Sequence, residues 1–240
     1  MQRKDFLRNG FAALGLVSIV PLACSKEDVT SPSGNDDTGG SSATGDCTVS
    51  PTETAGPFPT KTPSSLVRSD IRDDRTGVVL SVNITILNTN NSCTALQNAI
   101  VDIWHCDKDG YYSEYGGTGM QSVDYTNVNF LRGRQTTGTD GLVTFTSVFP
   151  GWYAGRAPHI HVHVYNTSGT SLLVTQIAFP EDVTKTVYTT AQLYGYTKGT
   201  QDTSNAADNI FSDSLDQELA TIAGSISEGY TLTHTVYVAG

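Results

Sequence analysis

From residue 77 onward, apolar and polar positions alternate in short runs. GVVLSVNITILN (77–88), AIVDIWHC (99–106), LVTFTSV (142–148), HIHVHVYN, SLLVTQIAF and YTLTHTVYVA (230–239) are rich in Val, Ile, Thr and Tyr. Period two places alternate side chains on opposite faces, so each run reads as a strand with one face buried. Turn formers separate the runs: NTNNS, DKDG, TDG and TSGT, the last joining two strands as a hairpin. Helical text is confined to TTAQLYG, AADNIFSD and SLDQELATIAG, each long enough for a short helix or turn. No internal repeat is present. The expected fold is all-β, a β-sandwich with a few short helices.

The first 46 residues read differently. MQRKDFLRNG is basic, and FAALGLVSIVPLA is an apolar run too short to span a bilayer. It ends at PLAC, residues 21–24, which resembles a lipobox with Cys24 as the lipidated new N-terminus. RKDFLR is similar to a twin-arginine signal with Lys4 in place of one arginine, and SKED after Cys24 is similar to a surface-export signal. Residues 25–46 are Ser, Gly, Asp and Thr-rich with almost nothing to bury, hence a flexible tether with an r.m.s. reach of about 25 Å. The expected organisation is a signal peptide at 1–23, a tether at 24–46 and a domain at 47–240. The chain is then an exported lipoprotein of a bacterial envelope, displayed on the outer surface.

The formal net charge of −10 argues against nucleic acid as a partner. Export permits disulfides, but Cys47, Cys93 and Cys106 leave one cysteine over. Cys93 and Cys106 flank one predicted strand, and a staple between them is the expected pair. Cys47 reaching either, and Cys106 as a metal ligand, are the rival readings.

His159, His161 and His163 sit two apart on one predicted strand, so their imidazoles share a face. One strand histidine is usually structural. An H-x-H pair with a third imidazole suits zinc, copper or iron.

The surrounding text narrows this. FPGWYAGRAPHIH puts Tyr153 and Arg156 before His159, VDIWHCDKDGYYSEYGG puts Tyr112 eight residues after Trp104, TQIAF carries Gln176, and TAGPF (54–58) opens the domain. Together these motifs resemble the intradiol ring-cleavage dioxygenases, from about residue 47 to 178. The resemblance implies a non-haem Fe(III) cofactor with Tyr112 and His161 as equatorial ligands and Tyr153 and His159 as axial ones. It places Arg156 and Gln176 beside a catechol-type substrate, which is opened with both atoms of O2 to a cis,cis-muconate-type product. The residue types suit that chemistry. Ferric iron and phenolate oxygen are both hard, and a tyrosine with an ordinary pKa near 10 needs the metal to hold it deprotonated. Arg156 would stabilise developing negative charge without losing its proton.

The remaining candidates take plainer roles. Tyr111 is the neighbour that competes with Tyr112. Tyr115, Tyr125 and Tyr165 read as loop or core aromatics, His163 as a packing or supporting group, and His105 and His234 as structural. Asp102, Asp107 and Asp109 read as turn or edge residues, and Arg132 and Arg134 as loop supports. The N-terminal helical segment used for dimer contacts in cytosolic members is replaced by leader and tether, so a monomer is expected. Only two residues separate Tyr153 from Arg156, which points to an open pocket and bulkier catechols. Two competing readings stand beside the enzyme: a β-sandwich lipoprotein that binds an aromatic ligand or metal without turnover, and a zinc or copper enzyme using the three histidines.

Overall fold

The computed structural model describes residues 47–240 apart from Thr118; the leader, Cys24 and the tether lie outside the described residues. Among the described residues, nine strands build two sheets. The strands are β1 (Val79–Asn88), β2 (Thr94–Ala95), β3 (Ile100–Trp104), β4 (Arg132–Thr136), β5 (Leu142–Val148), β6 (His159–Tyr165), β7 (Ser171–Ala178), β8 (Thr221–Ser225) and β9 (Gly229–Val238). In the first sheet β1 is central: it pairs in parallel with β9, which carries β8, and antiparallel with β5 and β2 along its other edge. The second is an antiparallel sheet in the order β4-β3-β6-β7. Two α-helices, α1 (Glu181–Thr190) and α2 (Leu215–Glu218), and short 3-10 turns occupy the connections. None of the described helices is long and apolar enough to cross a membrane.

The alternation forecasts the core. Leu80, Val82, Ile84 and Ile86 of β1 face Val101 and Ile103 of β3, Ile160, Val162 and Val164 of β6, and Phe145, Leu232 and Val236 in one buried cluster. Burying a side chain of this size contributes roughly 1.5–3 kcal/mol, so this shared layer holds the sheets together. On β6 the alternation gives the core the three aliphatics, which leaves the three histidines on the opposite face.

Three elements escaped the pattern. Strand β4, RGRQT, has two arginines and a glycine where apolar residues would mark a strand, and it forms by pairing with β3. Strand β8 takes TIAGS from text that reads as helix, because β9 supplies its hydrogen-bonding edge. Helix α1 is rich in β-branched residues that disfavour helix. It is held by Thr184, Val187 and Tyr188, which share one buried face, and by Glu181 and Asp182 in its first turn, where acidic groups favour the helix dipole.

The cysteine expectation is corrected. The disulfide joins Cys47 to Cys93 with Cα atoms 5.8 Å apart, and Cys106 is the free, buried one. The reason is strand length. Cys93 and Cys106 lie beyond opposite ends of β3, and five extended residues span roughly 16 Å, well past the Cα separation a disulfide tolerates.

Candidate metal centre

One transverse row of the second sheet sets the site. The register aligns Arg132 of β4 with Trp104 of β3, Trp104 with His161 of β6, and His161 with Gln176 of β7. All four point away from the sandwich core, yet all are buried. Loops cover them. Phe58 of the 54–60 segment stacks on Tyr112 with centroids 4.8 Å apart, and Gln176 Nε2 donates to the Thr54 carbonyl at 2.9 Å.

Two tight approaches bring the tyrosine-bearing loops together. Asp107 opens the turn after β3, its Oδ1 accepting from the Asp109 and Tyr111 amides. Gly110 has φ +93°, and a Cβ there would strike the Trp152 carbonyl; a Cβ at Gly151 would strike the Lys108 carbonyl. Glycine at both positions lets the loop carrying Tyr112 lie against the loop carrying Tyr153. The side chain of buried Gln121 clamps Tyr112 at both backbone groups, accepting from its N–H at 2.6 Å and donating to its carbonyl at 2.8 Å. Arg132 braces the same region, donating to the Phe58 and Ser113 carbonyls and to Ser113 Oγ.

The donor atoms converge. His159 Nε2 lies 3.2 Å from His161 Nε2 and 3.3 Å from the Tyr112 hydroxyl. The Tyr153 ring sits 5.9 Å from that of Tyr112 and 5.7 Å from that of His159, edge-on to both. His161 is fixed in plane by Trp104, stacked at 4.8 Å and 3°. His159 Nδ1–H donates to the Ala157 carbonyl at 2.6 Å, which leaves its Nε2 lone pair facing the cluster. Burial, helped by the Arg156 charge, pushes His159 down to about 3, and burial followed by the His159 charge takes His161 well below its ordinary value. Both imidazoles are therefore neutral, as metal ligands must be. Burial and the neighbouring Tyr153 hold Tyr112 well above the usual phenol range, and burial raises Tyr153.

This set fits a cation. His161 Nδ1 is buried without a partner. With its proton on Nδ1, that donor is orphaned and two Nε2 lone pairs face each other; with the proton on Nε2, an acceptor is orphaned instead. A hard cation among the donors would use both Nε2 lone pairs and stabilise phenolates that burial otherwise disfavours. Among the described residues no group of three or more His, Cys, Asp or Glu is placed to hold a metal, so any ion here would need the tyrosines.

The other candidates disperse. His163 shares the face of His159 and His161 but bonds Ser171 Oγ and receives the Tyr165 hydroxyl, both at 2.8 Å. A three-histidine centre is thus not formed. Asp102 forms a two-point ion pair with Arg134, at 2.5 and 2.7 Å. His105 bonds the Cys106 carbonyl and Ser147, and burial lowers His234 to about 4. Arg156 and Gln176 meet, Nη2 donating to Oε1 at 2.6 Å. Sequence reasoning missed Asp208, which holds Arg156, and Phe211, 6.4 Å from His159 by ring centroid. Neither carries a local signal, since both reach the site from a loop some 50 residues away.

A family model described as Dioxygenase (Dioxygenase_C) matches residues 54–193, more than half of the chain. Among solved structures, the "Intradiol ring-cleavage Dioxygenase from Tetranychus urticae" is 28% identical with a TM-score of 0.68, over 80% of this chain and 94% of that one. Two curated relatives are similar over a shorter stretch. "Catechol 1,2-dioxygenase 1" of Acinetobacter lwoffii is 28% identical, over 43% of this chain and 37% of its own length. "Chlorocatechol 1,2-dioxygenase" of Rhodococcus opacus is 29% identical, over 52% of each. The chain thus spans about half or less of the curated relatives it matches.

Proposed function

The chain belongs to the intradiol ring-cleavage dioxygenase family, and on that premise we propose that it opens catechol-type rings with O2, using non-haem Fe(III), to cis,cis-muconate-type products. The observation that carries this reading is the convergence of the Tyr112 hydroxyl and the His159 and His161 Nε2 atoms from chain segments 47 residues apart.

Tyr112, Tyr153, His159 and His161 would hold the iron. Bound Fe(III) would supply a Lewis-acidic, oxidising centre for a catechol that chelates through both oxygens. The protein does the rest. Trp104 and the Ala157 carbonyl fix the two imidazoles in their ligating orientation. Tyr112 is fully buried and clamped by Gln121, so it stays in place. Tyr153 is less buried, and its phenolate oxygen is suited to take a proton from an incoming catechol hydroxyl. Arg156 and Gln176, bonded to each other, present fixed donors to negative charge growing on the substrate oxygens. Ala154 and Gly155, exposed between Tyr153 and Arg156, favour an open mouth that admits substituted rings. The lipobox-like residues 21–24 favour tethering of the domain at the cell envelope through Cys24.

The test is direct. Iron-loaded protein should absorb strongly in the visible from tyrosinate-to-iron charge transfer. The band should shift on adding catechol, and one O2 should be consumed per catechol. Protein that stays colourless after iron loading, or takes up no oxygen with any of a panel of catechols, overturns the proposal.

A further inference from the structure

Arg156 is not a free cation. Its Nε donates to Asp208 Oδ2 at 2.8 Å while its Nη2 donates to Gln176. Asp208 is fully buried. Its Oδ2 also accepts from the Ala157 amide at 2.7 Å, and its Oδ1 accepts from the Ile210 amide at 2.9 Å. One carboxylate therefore ties together the guanidinium, the backbone two residues before His159, and the loop that carries Phe211. The Phe211 ring lies 5.8 Å from the guanidinium. On the far side, Gln176 is anchored to the Thr54 carbonyl, so the line Asp208–Arg156–Gln176–Thr54 is bonded end to end.

The charges along this line matter as much as its geometry. Asp208 pairs with Arg156 and offsets part of its charge. Glu53, beside Thr54, senses Asp213, Arg156 and Asp208, and its carboxyl is raised by burial and then by Asp213. A ring substituent reaching this line would meet the Arg156–Asp208 ion pair, with Glu53 next along the chain from Thr54. An added carboxylate would find a cation already paired and the Asp208 carboxylate beside it, and like charges set close together are costly.

We propose that Asp208 is a positioning residue that fixes Arg156 as a hydrogen-bond donor and offsets its charge, so that the site takes uncharged catechols and disfavours carboxylate-bearing ones. This rests on the function proposed above. The experiment uses the full-length, iron-loaded protein. Binding of phenol and of 4-hydroxybenzoate is followed through the visible band, and kcat/KM is measured for catechol and for 3,4-dihydroxybenzoate. The wild type should favour the uncharged member of each pair by roughly tenfold or more. Asp208→Asn keeps an acceptor but removes the charge. It should narrow both ratios several-fold, by tighter binding of the carboxylated member, while the visible band persists. Asp208→Ala should also lose position and drop kcat on catechol by up to about 10²-fold with iron content retained. Glu53→Gln, at a partly exposed position where folding is not at stake, should narrow the ratios in the same direction by less.

A wild type without the preference overturns the inference. So do Asp208→Asn and Glu53→Gln variants whose ratios stay within twofold of wild type; if Asp208→Asn fails to fold, Glu53→Gln decides. A colourless, inactive wild type removes the enzyme reading and this inference with it. A coloured, active wild type with unmoved ratios in the variants removes only the role of Asp208.

Discussion

Each sheet carries a transverse row of four residues on the face away from the core. In the first sheet the row is Thr144, Asn83, Thr233 and Thr221; in the second it is Arg132, Trp104, His161 and Gln176. Strand pairing builds both in the same way. The first row faces solvent and its chemistry stays local, as in the Thr144 hydroxyl donating to Asn83 at 2.9 Å. At one end of that sheet a groove of about 610 Å³ is lined by residues that include Thr48, Asp216, Gln217, Thr221, Thr233 and Tyr237. The second row is roofed by the 54–60 segment and the loops carrying Tyr112, Tyr153 and Asp208, and all four of its residues are buried. A sheet face becomes a candidate reaction site when loops remove it from water, because desolvation shifts its titratable groups and strengthens every charge interaction beneath the roof.

The contrast can be broken most severely at His161. His161→Ala should abolish the visible band and oxygen uptake together, with iron content falling in parallel, while the far-ultraviolet circular dichroism stays that of a β protein.

Next comes Arg132, whose guanidinium is fully buried and donates to two backbone carbonyls. Arg132→Met strands those acceptors and the neighbouring Glu114 carboxylate, 3.5 Å away. It should cost about 3–5 kcal/mol in a urea melt.

His105 sharpens the comparison through pH. It is buried neutral, donating from Nδ1 to the Cys106 carbonyl and accepting at Nε2 from Ser147, and burial depresses its pKa to about 4. The unfolded chain, with an ordinary histidine near 6.5, binds the proton more readily. Stability from this group is therefore complete above about pH 6.5 and is lost as pH falls toward 4. His105→Gln should flatten that part of the Tm-against-pH curve.

The smallest effect belongs to the solvent-facing row. Thr233→Ser should change stability by no more than about 0.5 kcal/mol and leave oxygen uptake at the wild-type value.

Much of this was legible in the chain. β5 has both ends that its alternation indicates and β6 stops one residue before the end of its run, and the same alternation separates Ile160, Val162 and Val164 from His159, His161 and His163. Tyr112, Tyr153, Arg156 and Gln176 stood out through the family resemblance; the structure sets the Tyr112 and Tyr153 rings 5.9 Å apart and bonds Arg156 to Gln176. Strand β4 was not, since RGRQT owes its strand to the edge of β3 rather than to its own composition. The disulfide was not, since Cys47 reaches Cys93 only once the domain's first residues lie beside β9, as the Ser50 amide bonded to the Tyr237 carbonyl at 3.0 Å records.

By itself, then, the sequence determined which residues share a face along β1, β3, β5, β6, β7 and β9 and which side chains can carry ligand chemistry, because these follow from backbone period and residue type. Tertiary structure alone decided that Asp208 holds Arg156, that Gln121 clamps Tyr112 and that Cys47 pairs with Cys93. The first and third contacts join segments about 50 residues apart, and the second folds one connection back on itself across nine residues; their geometry exists only after two sheets have packed and fixed where each loop begins and ends.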